Sequence, residues 1–293
     1  MTPSTRRRRW GDRPDGRRLR TLSPFYLITP YVMRTRVDAQ DYFEDRVDMG
    51  PAEEWLRKQR GQGRRLGLLH LMVAAVVRTL SQWPRLNRFV AGQRIYARNE
   101  ILISFALKKR LHEDSPETAI KLRFDPTATV LDVAAAIDEA VAANRVEQSR
   151  NETDRTARLF MLCPGLVVRF LVWVLRTLDY VGLLPGVIRR ASPFHTSVFV
   201  TDIGSLGIKP IYHHLYDFGT TSIFVAFGAK EQERVLDEAG RAVLRRSVGL
   251  KIVNDERICD GHYYAGAFKF MRKLLLNPER LESPPERVVE DVD

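Results

Sequence analysis

The residues best able to move a proton crowd near the C-terminus. The run Asn254-Asp255-Glu256-Arg257-Ile258-Cys259-Asp260-Gly261 holds three carboxylates, and His262 follows it directly. Side chains of these types serve as general bases or as supports for one. The remaining histidines are His70, His112, His195 and the adjacent pair His213-His214. His213, His214 and His262 have no ligand-like spacing, so no metal is expected. The only cysteines are Cys163 and Cys259. Two such residues exclude a disulfide scaffold and a Cys-rich zinc module, and suit a reducing compartment. Cys259 sits at an apolar position and is expected to be packed rather than reactive.

These groups need a framework to position them. The chain has 293 residues, 44% hydrophobic and 28% charged, which excludes a mainly disordered polypeptide. Residue types and periodicity predict strands over Phe25–Asp38 (with Pro30 at an edge or break), Phe89–Tyr96, Ile101–Lys108, Thr118–Phe124, Thr196–Thr201, Thr221–Phe227 and Arg246–Asn254. Helices are predicted over Ala39–Arg46, Ala52–Gln59, Leu68–Trp83, Thr129–Asn144 and from Gly261 to Leu276. The mixture continues to the end without a Pro/Gly-rich linker, so the expectation is one α/β domain of two-layer α+β type.

The net charge is +11, which calls for an anionic partner. Eight Arg lie in the first twenty residues, opposed by Asp12 and Asp15. Residues 1–16 are expected to form a disordered basic arm, and residues 282–293 an acidic tail. The arm lacks the apolar stretch of a secretory signal. Nucleic acid is not the expected partner, because no recognition module accompanies the charge. Phe160–Arg190 is strongly apolar but carries Arg169, Arg176 and Asp179 together with Pro164, Gly182 and Pro185. Three readings of it stand: a helix packed in the core or a subunit interface, a membrane-surface helix or lid, and a true span. The expected location is cytoplasmic, with this segment as the point of any peripheral contact with a membrane.

The C-terminal run resembles the D-H-R-x-x-D-G signature of the acyltransferase component of 2-oxo-acid dehydrogenase complexes. The helix after it ends Leu274-Leu275-Leu276-Asn277-Pro278, similar to that family's L-L-x-N-P. Chloramphenicol acetyltransferases share the H-x-x-x-D-G core. Upstream, Phe199-Val200-Thr201-Asp202-Ile203-Gly204-Ser205-Leu206-Gly207 is similar to the family's F-T-I-S-N-L-G-x-x-G, Ser222–Ala229 to the strand after it, and Leu69–Val90 to its helix ending P-E-L-N. Ser23–Phe43 also fits the family's edge strand and first helix. The resemblance covers residues 17–281. It implies a chloramphenicol acetyltransferase-like mixed sheet with flanking helices and a homotrimer whose active site lies between subunits. The acyl donor it implies is acyl-coenzyme A, with a small-molecule acyl acceptor. The 293 residues include no lipoyl domain and no apolar ending, so a large cubic or icosahedral cage is not expected.

The resemblance also assigns roles. Its catalytic His, which deprotonates a thiol, is replaced here by Glu256. With reference values of about 8.5 for a thiol, about 6.5 for His and about 4.3 for Glu, the transfer to Glu is worse by roughly 3 kcal/mol. A raised carboxylate pKa would recover the difference. Thr201 takes the place of the family's Ser, whose hydroxyl binds the tetrahedral oxyanion. Asp260 takes a structural role, pairing with an Arg; Arg17, Arg18 and Arg257 are the alternatives. His262 is the nearest substitute base. Two readings therefore stand: a coenzyme A-dependent acyltransferase with an altered base, and a degenerate homologue serving as a trimeric scaffold or ligand-binding protein.

Overall fold

The computed structural model describes residues 8–108, 117–147, 164–236 and 239–292. Cys163 and the first residues of the apolar segment, 160–163, lie outside them. Nine strands are described: β1 (Gly16–Arg18), β2 (Gln40–Asp48), β3 (Arg88–Ala91), β4 (Arg94–Arg98), β5 (Ile101–Lys108), β6 (Glu117–Phe124), β7 (Val198–Asp202), β8 (Ile223–Leu236) and β9 (Ala242–Asp255). The helices are α1 (Pro24–Val32), α2 (Gly50–Gly61), α3 (Leu68–Gln82), α4 (Val130–Glu147), α5 (Gly165–Tyr180), α6 (Gly186–Ala191) and α7 (Gly261–Leu276).

A six-stranded mixed sheet runs in the order β2-β9-β8-β7-β5-β6, and a small sheet in the order β1-β4-β3. Strand β7 is parallel to both β5 and β8, whereas the other pairs of the large sheet are antiparallel. Alternation along the central strands sends Val198, Val200, Ile223, Val225, Leu250 and Ile252 into the main core with α3 and α7. The other face carries a separate small cluster of Phe199, Phe224, Val253 and Leu215. This is the mixed sheet with flanking helices that the sequence led us to expect.

Three expected elements change. Phe25–Asp38 does not form a strand; most of it is α1. Pro24 occupies the first turn, where its missing N–H costs nothing. Pro30 cannot donate to the Tyr26 carbonyl, and the Thr29 hydroxyl takes that carbonyl at 2.9 Å instead. Ala39–Arg46 is not a helix but lies largely in edge strand β2. Its charges find partners in a strand register: Glu44 faces Lys251, and Arg46 reaches Glu231 and Glu233. Such charges are usual on a sheet edge. Phe89–Tyr96 is divided into β3 and β4 by a tight turn at Gly92-Gln93, both at positive φ.

Other elements follow their sequence signals. Trp83-Pro84 stops α3. Thr129 and Asp132 exchange bonds at the start of α4, Thr129 N–H and Oγ1–H donating to Asp132 and Asp132 N–H to Thr129. Asp260 accepts from Tyr263 N–H and caps α7. Strands β8 and β9 extend well past the sheet as a charged hairpin, tied at its base by Lys230 and Arg246 to Glu53 of α2.

Residues 8–16 and the acidic tail as far as residue 292 are folded onto this body, which corrects the expectation of disorder for residues 8–16; residues 1–7 of the expected arm lie outside the described residues. Arg13 is 4% exposed. It pairs with Asp15 at 3.0 Å and with Asp179 of α5 at 2.7 Å, and donates to the Asp179 carbonyl. The acidic tail is held too. Asp291 receives a two-pronged pair from Arg88 with both bonds 2.6 Å long, Val289 N–H donates to Ser81, and Glu282 accepts from Trp55 and Gln59.

Asp179 also lies 3.2 Å from His195 Nε2. Burial alone would raise its pKa, but the contacts with His195 and Arg13 more than offset that and hold it down to about 2. A carboxylate held below its unfolded value of about 3.9 stabilises the fold above pH 4 and loses that contribution as pH falls through about 2. Asp179→Asn is therefore expected to cost about 3 kcal/mol at pH 7. The deficit against wild type, read from urea midpoints, should shrink as pH approaches 2; a deficit independent of pH would contradict the pairing.

Candidate active site

The loop that leaves β9 is held by one buried carboxylate. Asp255, fully buried, accepts from Arg257 Nε and Nη2, both at 2.7 Å. Arg36 Nε approaches its other side at 3.8 Å. Each guanidinium is tied further: Arg257 donates to the Met33 carbonyl at 2.9 Å, and Arg36 to the carbonyls of Val90, Tyr216 and Asp217. Tyr264 O–H donates to the Asp255 carbonyl at 2.7 Å. This knot joins β9, the end of α1, the loop before β8 and the start of α7. Asp255 and Arg257 are two residues apart, but the sequence reading takes Arg257 only as a partner of Asp260. Arg36 gave no local signal, because its partner lies more than two hundred residues away.

Glu256 is the next residue, and it points outward while its neighbours are buried. Its N–H donates to Ala39 at 2.9 Å, which fixes the backbone. Partial desolvation raises its carboxyl pKa, and the nearby charges of Asp41 and Asp255 push it the same way. Asp41 is raised as well, by desolvation and by Asp255. The direction is the one a carboxylate base needs.

Asp260 is not paired with any of the three expected arginines. Arg17 donates to the carbonyls of Asp291 and Val292, Arg18 N–H donates to Asp12, and Arg257 belongs to Asp255. Asp260 instead accepts from Tyr26 O–H at 2.7 Å and from Tyr263 N–H at 2.9 Å, and these bonds lower its pKa. Desolvation and the Asp260 contact push Tyr26 up to about 12. Asp260 thus joins α1 to α7 and closes the far end of the Glu256 loop. Cys259, between them, is fully buried, and burial pushes its thiol up to about 12. His262 is exposed on the first turn of α7. The charges that act on Glu256 are Asp41 and Asp255, not His262. His213 stacks on Phe224 at 4.5 Å, and His214 meets the edge of Tyr216 at 4.7 Å. Among the described residues no group of His, Cys, Asp and Glu could hold a metal.

Thr201 lies elsewhere. It is buried in β7, opposite Ala226, which in turn faces Lys251. Glu256 is five residues beyond Lys251 and two strands across. At about 3.3 Å per residue and about 4.8 Å per strand, the two side chains are about 20 Å apart. One chain does not bring them together. After β7 the chain turns through Gly204-Ser205-Leu206, where Ser205 is exposed and its Oγ–H donates to the Asp202 carbonyl at 2.9 Å, a bond it would have to exchange to serve a ligand. Gly204 is required there, because a Cβ would meet the Gly228 carbonyl oxygen at 2.3 Å. Sequence reasoning does not single out Ser205: set on Leu206-Gly207, the F-T-I-S-N-L-G pattern puts Gly204 at its Ser and Ser205 at its Asn.

No family profile and no curated protein matches the chain. Solved structures do. The chain is similar to a probable dihydrolipoamide acetyltransferase from Listeria monocytogenes, at 14% identity and TM-score 0.56, over 91% of this chain and 96% of that one. It is similar to the cubic core of the pyruvate dehydrogenase multienzyme complex, at 15% identity and TM-score 0.57, over 88% of both chains. It is also similar to a truncated catalytic core of the 2-oxoacid dehydrogenase multienzyme complex from Thermoplasma acidophilum, at 14% identity and TM-score 0.54, over 89% of this chain and 98% of that one. The chain has the fold of these acyltransferase cores.

The burial of Cys259 gives a direct test of the loop's rigidity. Iodoacetamide at pH 8, followed by peptide mass spectrometry, should leave Cys259 unmodified until the protein is unfolded, because only the thiolate reacts. Alkylation of the native protein at the rate of a free thiol would contradict a rigid loop.

Proposed function

We propose that this protein is a coenzyme A-dependent acyltransferase with Glu256 as its base. One observation carries the reading. On an acyltransferase-core fold, Glu256 is an outward-pointing carboxylate with a raised pKa, on a loop held by Asp255 and Arg257, and the motif resemblance gives that position to a catalytic His. Acyl-coenzyme A is the donor substrate, and a small molecule bearing a thiol or hydroxyl is the acceptor. Glu256 takes the acceptor proton as the sulfur or oxygen attacks the thioester carbonyl. A hydroxyl, Thr201 or Ser205, donates to the tetrahedral oxyanion. Collapse expels the coenzyme A thiolate, which recovers the proton from Glu256.

The separation of about 20 Å between Glu256 and Thr201 gives this proposal a quaternary condition. Chemistry that uses both needs Glu256 from one subunit and the hydroxyl from another, as in a homotrimer. Burial of the exposed Glu256 at such an interface would raise its pKa further. The alternative is a degenerate homologue that keeps the fold as a trimeric scaffold or ligand-binding protein. An exposed Glu at the position that the motif resemblance gives to the catalytic His favours it.

Acyl transfer from a panel of acyl-coenzyme A donors separates the two. For an enzyme, Glu256→Gln should lose at least about a hundredfold in kcat, the scale of general-base catalysis. Removal of the oxyanion donor should cost about 100- to 1,000-fold, and comparison of Thr201→Ala with Ser205→Ala identifies it. Inactive wild type with activity gained in Glu256→His would reject the carboxylate base and leave the degenerate reading.

A further inference from the structure

Helix α5 is the most apolar exposed element among the described residues. Leu166 is 80% exposed, Trp173 60% and Phe170 59%. These three recur at helical spacing on one face, and the rings of Phe170 and Trp173 stack at 5.9 Å. The apolar surface continues past the helix end through Tyr180, Val181, Leu183 and Val187, all exposed. A contiguous patch of this kind is a contact site, not ordinary surface.

The charge around the patch has one sign. Between Pro164 and Ala191 the basic residues are Arg169, Arg176, Arg189 and Arg190, and the only acid is Asp179. Arg169 and Arg176, seven apart, line one edge of the apolar face, and both are exposed. Asp179 is turned inward and paired with Arg13 and His195, so it contributes no negative charge to the outer face. The same pairs anchor the C-terminal end of α5, with its apolar face held outward. Helix α6 brings Arg189 and Arg190 beside it, and Lys121 clamps its end by donating to the carbonyls of Arg189 and Ser192, both at 2.7 Å.

We propose that α5 and α6 form an in-plane docking surface for an anionic phospholipid membrane. Phe170, Trp173 and Leu166 enter the headgroup–acyl boundary, and Arg169, Arg176, Arg189 and Arg190 meet lipid phosphates. Aromatic and aliphatic residues on one face with arginines at its edge are the composition of an interfacial helix. Helix α5 is too short for a span. Helix α5 has 16 residues, about 24 Å at 1.5 Å per residue, against a hydrocarbon core of about 30 Å. Among the described residues, no helix is long and apolar enough to cross a membrane. The edge arginines favour lipid over a second copy of the chain, since a second copy would bring the same positive charge to the contact. The proposal does not depend on acyl transfer.

The test is flotation of the full chain with vesicles of phosphatidylcholine alone or of phosphatidylcholine mixed with phosphatidylglycerol. Wild type should bind the anionic vesicles more than about tenfold better than the neutral ones, as expected for several arginines near the surface. The double variant Phe170→Glu/Trp173→Glu should abolish binding, and Arg169→Gln/Arg176→Gln should weaken it severalfold. Circular dichroism checks that each variant is folded, and light scattering reports its mass. The fluorescence of Trp173, taken as wild type minus Trp173→Phe, should shift to the blue on anionic vesicles. Three outcomes overturn the proposal. One is no binding to anionic vesicles. A second is binding unchanged in Phe170→Glu/Trp173→Glu, which assigns lipid contact to the N-terminal arginines. The third is a fall in oligomer mass in that variant with no vesicle binding by wild type, which assigns the face to a second copy.

Discussion

One buried carboxylate organises the region where chemistry is expected. Asp255 sits in the interior between Arg257 and Arg36, and each arginine spends its remaining donors on backbone carbonyls from distant segments. Burying three charges is costly, and such a cluster survives only when geometry and hydrogen bonding are nearly complete. Arg257 meets that condition with two bonds of 2.7 Å, whereas Arg36 Nε stays at 3.8 Å without a hydrogen bond and is held through its other nitrogens; the consequence is positional. Asp255 cannot move, so Glu256 is displayed at a fixed place outside a fixed loop. Asp260 closes the loop's other end through Tyr26 and the first turn of α7. A flexible acidic residue has become a held one, with its pKa raised by partial desolvation and its acidic neighbours.

A second buried cluster governs the other half of the molecule. Arg13, Asp15, Asp179 and His195 join the N-terminal segment, α5 and the entrance to β7. Their effect is to remove the one acid of the apolar segment from its surface and to dock α5 by its inner side alone. The outer face is left apolar and basic. At both places a few dry charges determine what an adjoining surface can do, while the apolar core beneath supplies the bulk of the stability.

Much of this was legible in the sequence where the signal is local. The apolar stretch of α3 with its Pro84 stop, the Thr129–Asp132 cap of α4 and the Asp260-Gly261 start of α7 all follow from neighbours within a turn. The motif residues gave the fold. The failures have a common cause in long-range contacts. Phe25–Val32 is rich in strand formers, but Pro24 and the Thr29–Tyr26 bond make a helix possible. Residues 40–48 have the charges of a surface helix, yet these are matched across an edge to β9 and the β8 hairpin. Arg13 reads in the sequence as one more arginine of a basic arm, because its buried partner Asp179 lies 166 residues away. The pairing of Asp260 with Tyr26 rather than an arginine could not be read from spacing, since 234 residues separate them.

The proposal stands or falls on Glu256 and Thr201 meeting between copies of the chain, because the sheet keeps these two about 20 Å apart within one. Mixing two inactive variants tests it directly. Glu256→Gln subunits and subunits lacking the oxyanion hydroxyl are co-expressed in equal amounts, and acyl transfer by the hybrid oligomers is compared with each variant alone. The account expects hybrids to recover activity, to about one quarter of wild type, because one in four interfaces then unites two intact residues. Hybrids no more active than the separate variants would contradict it.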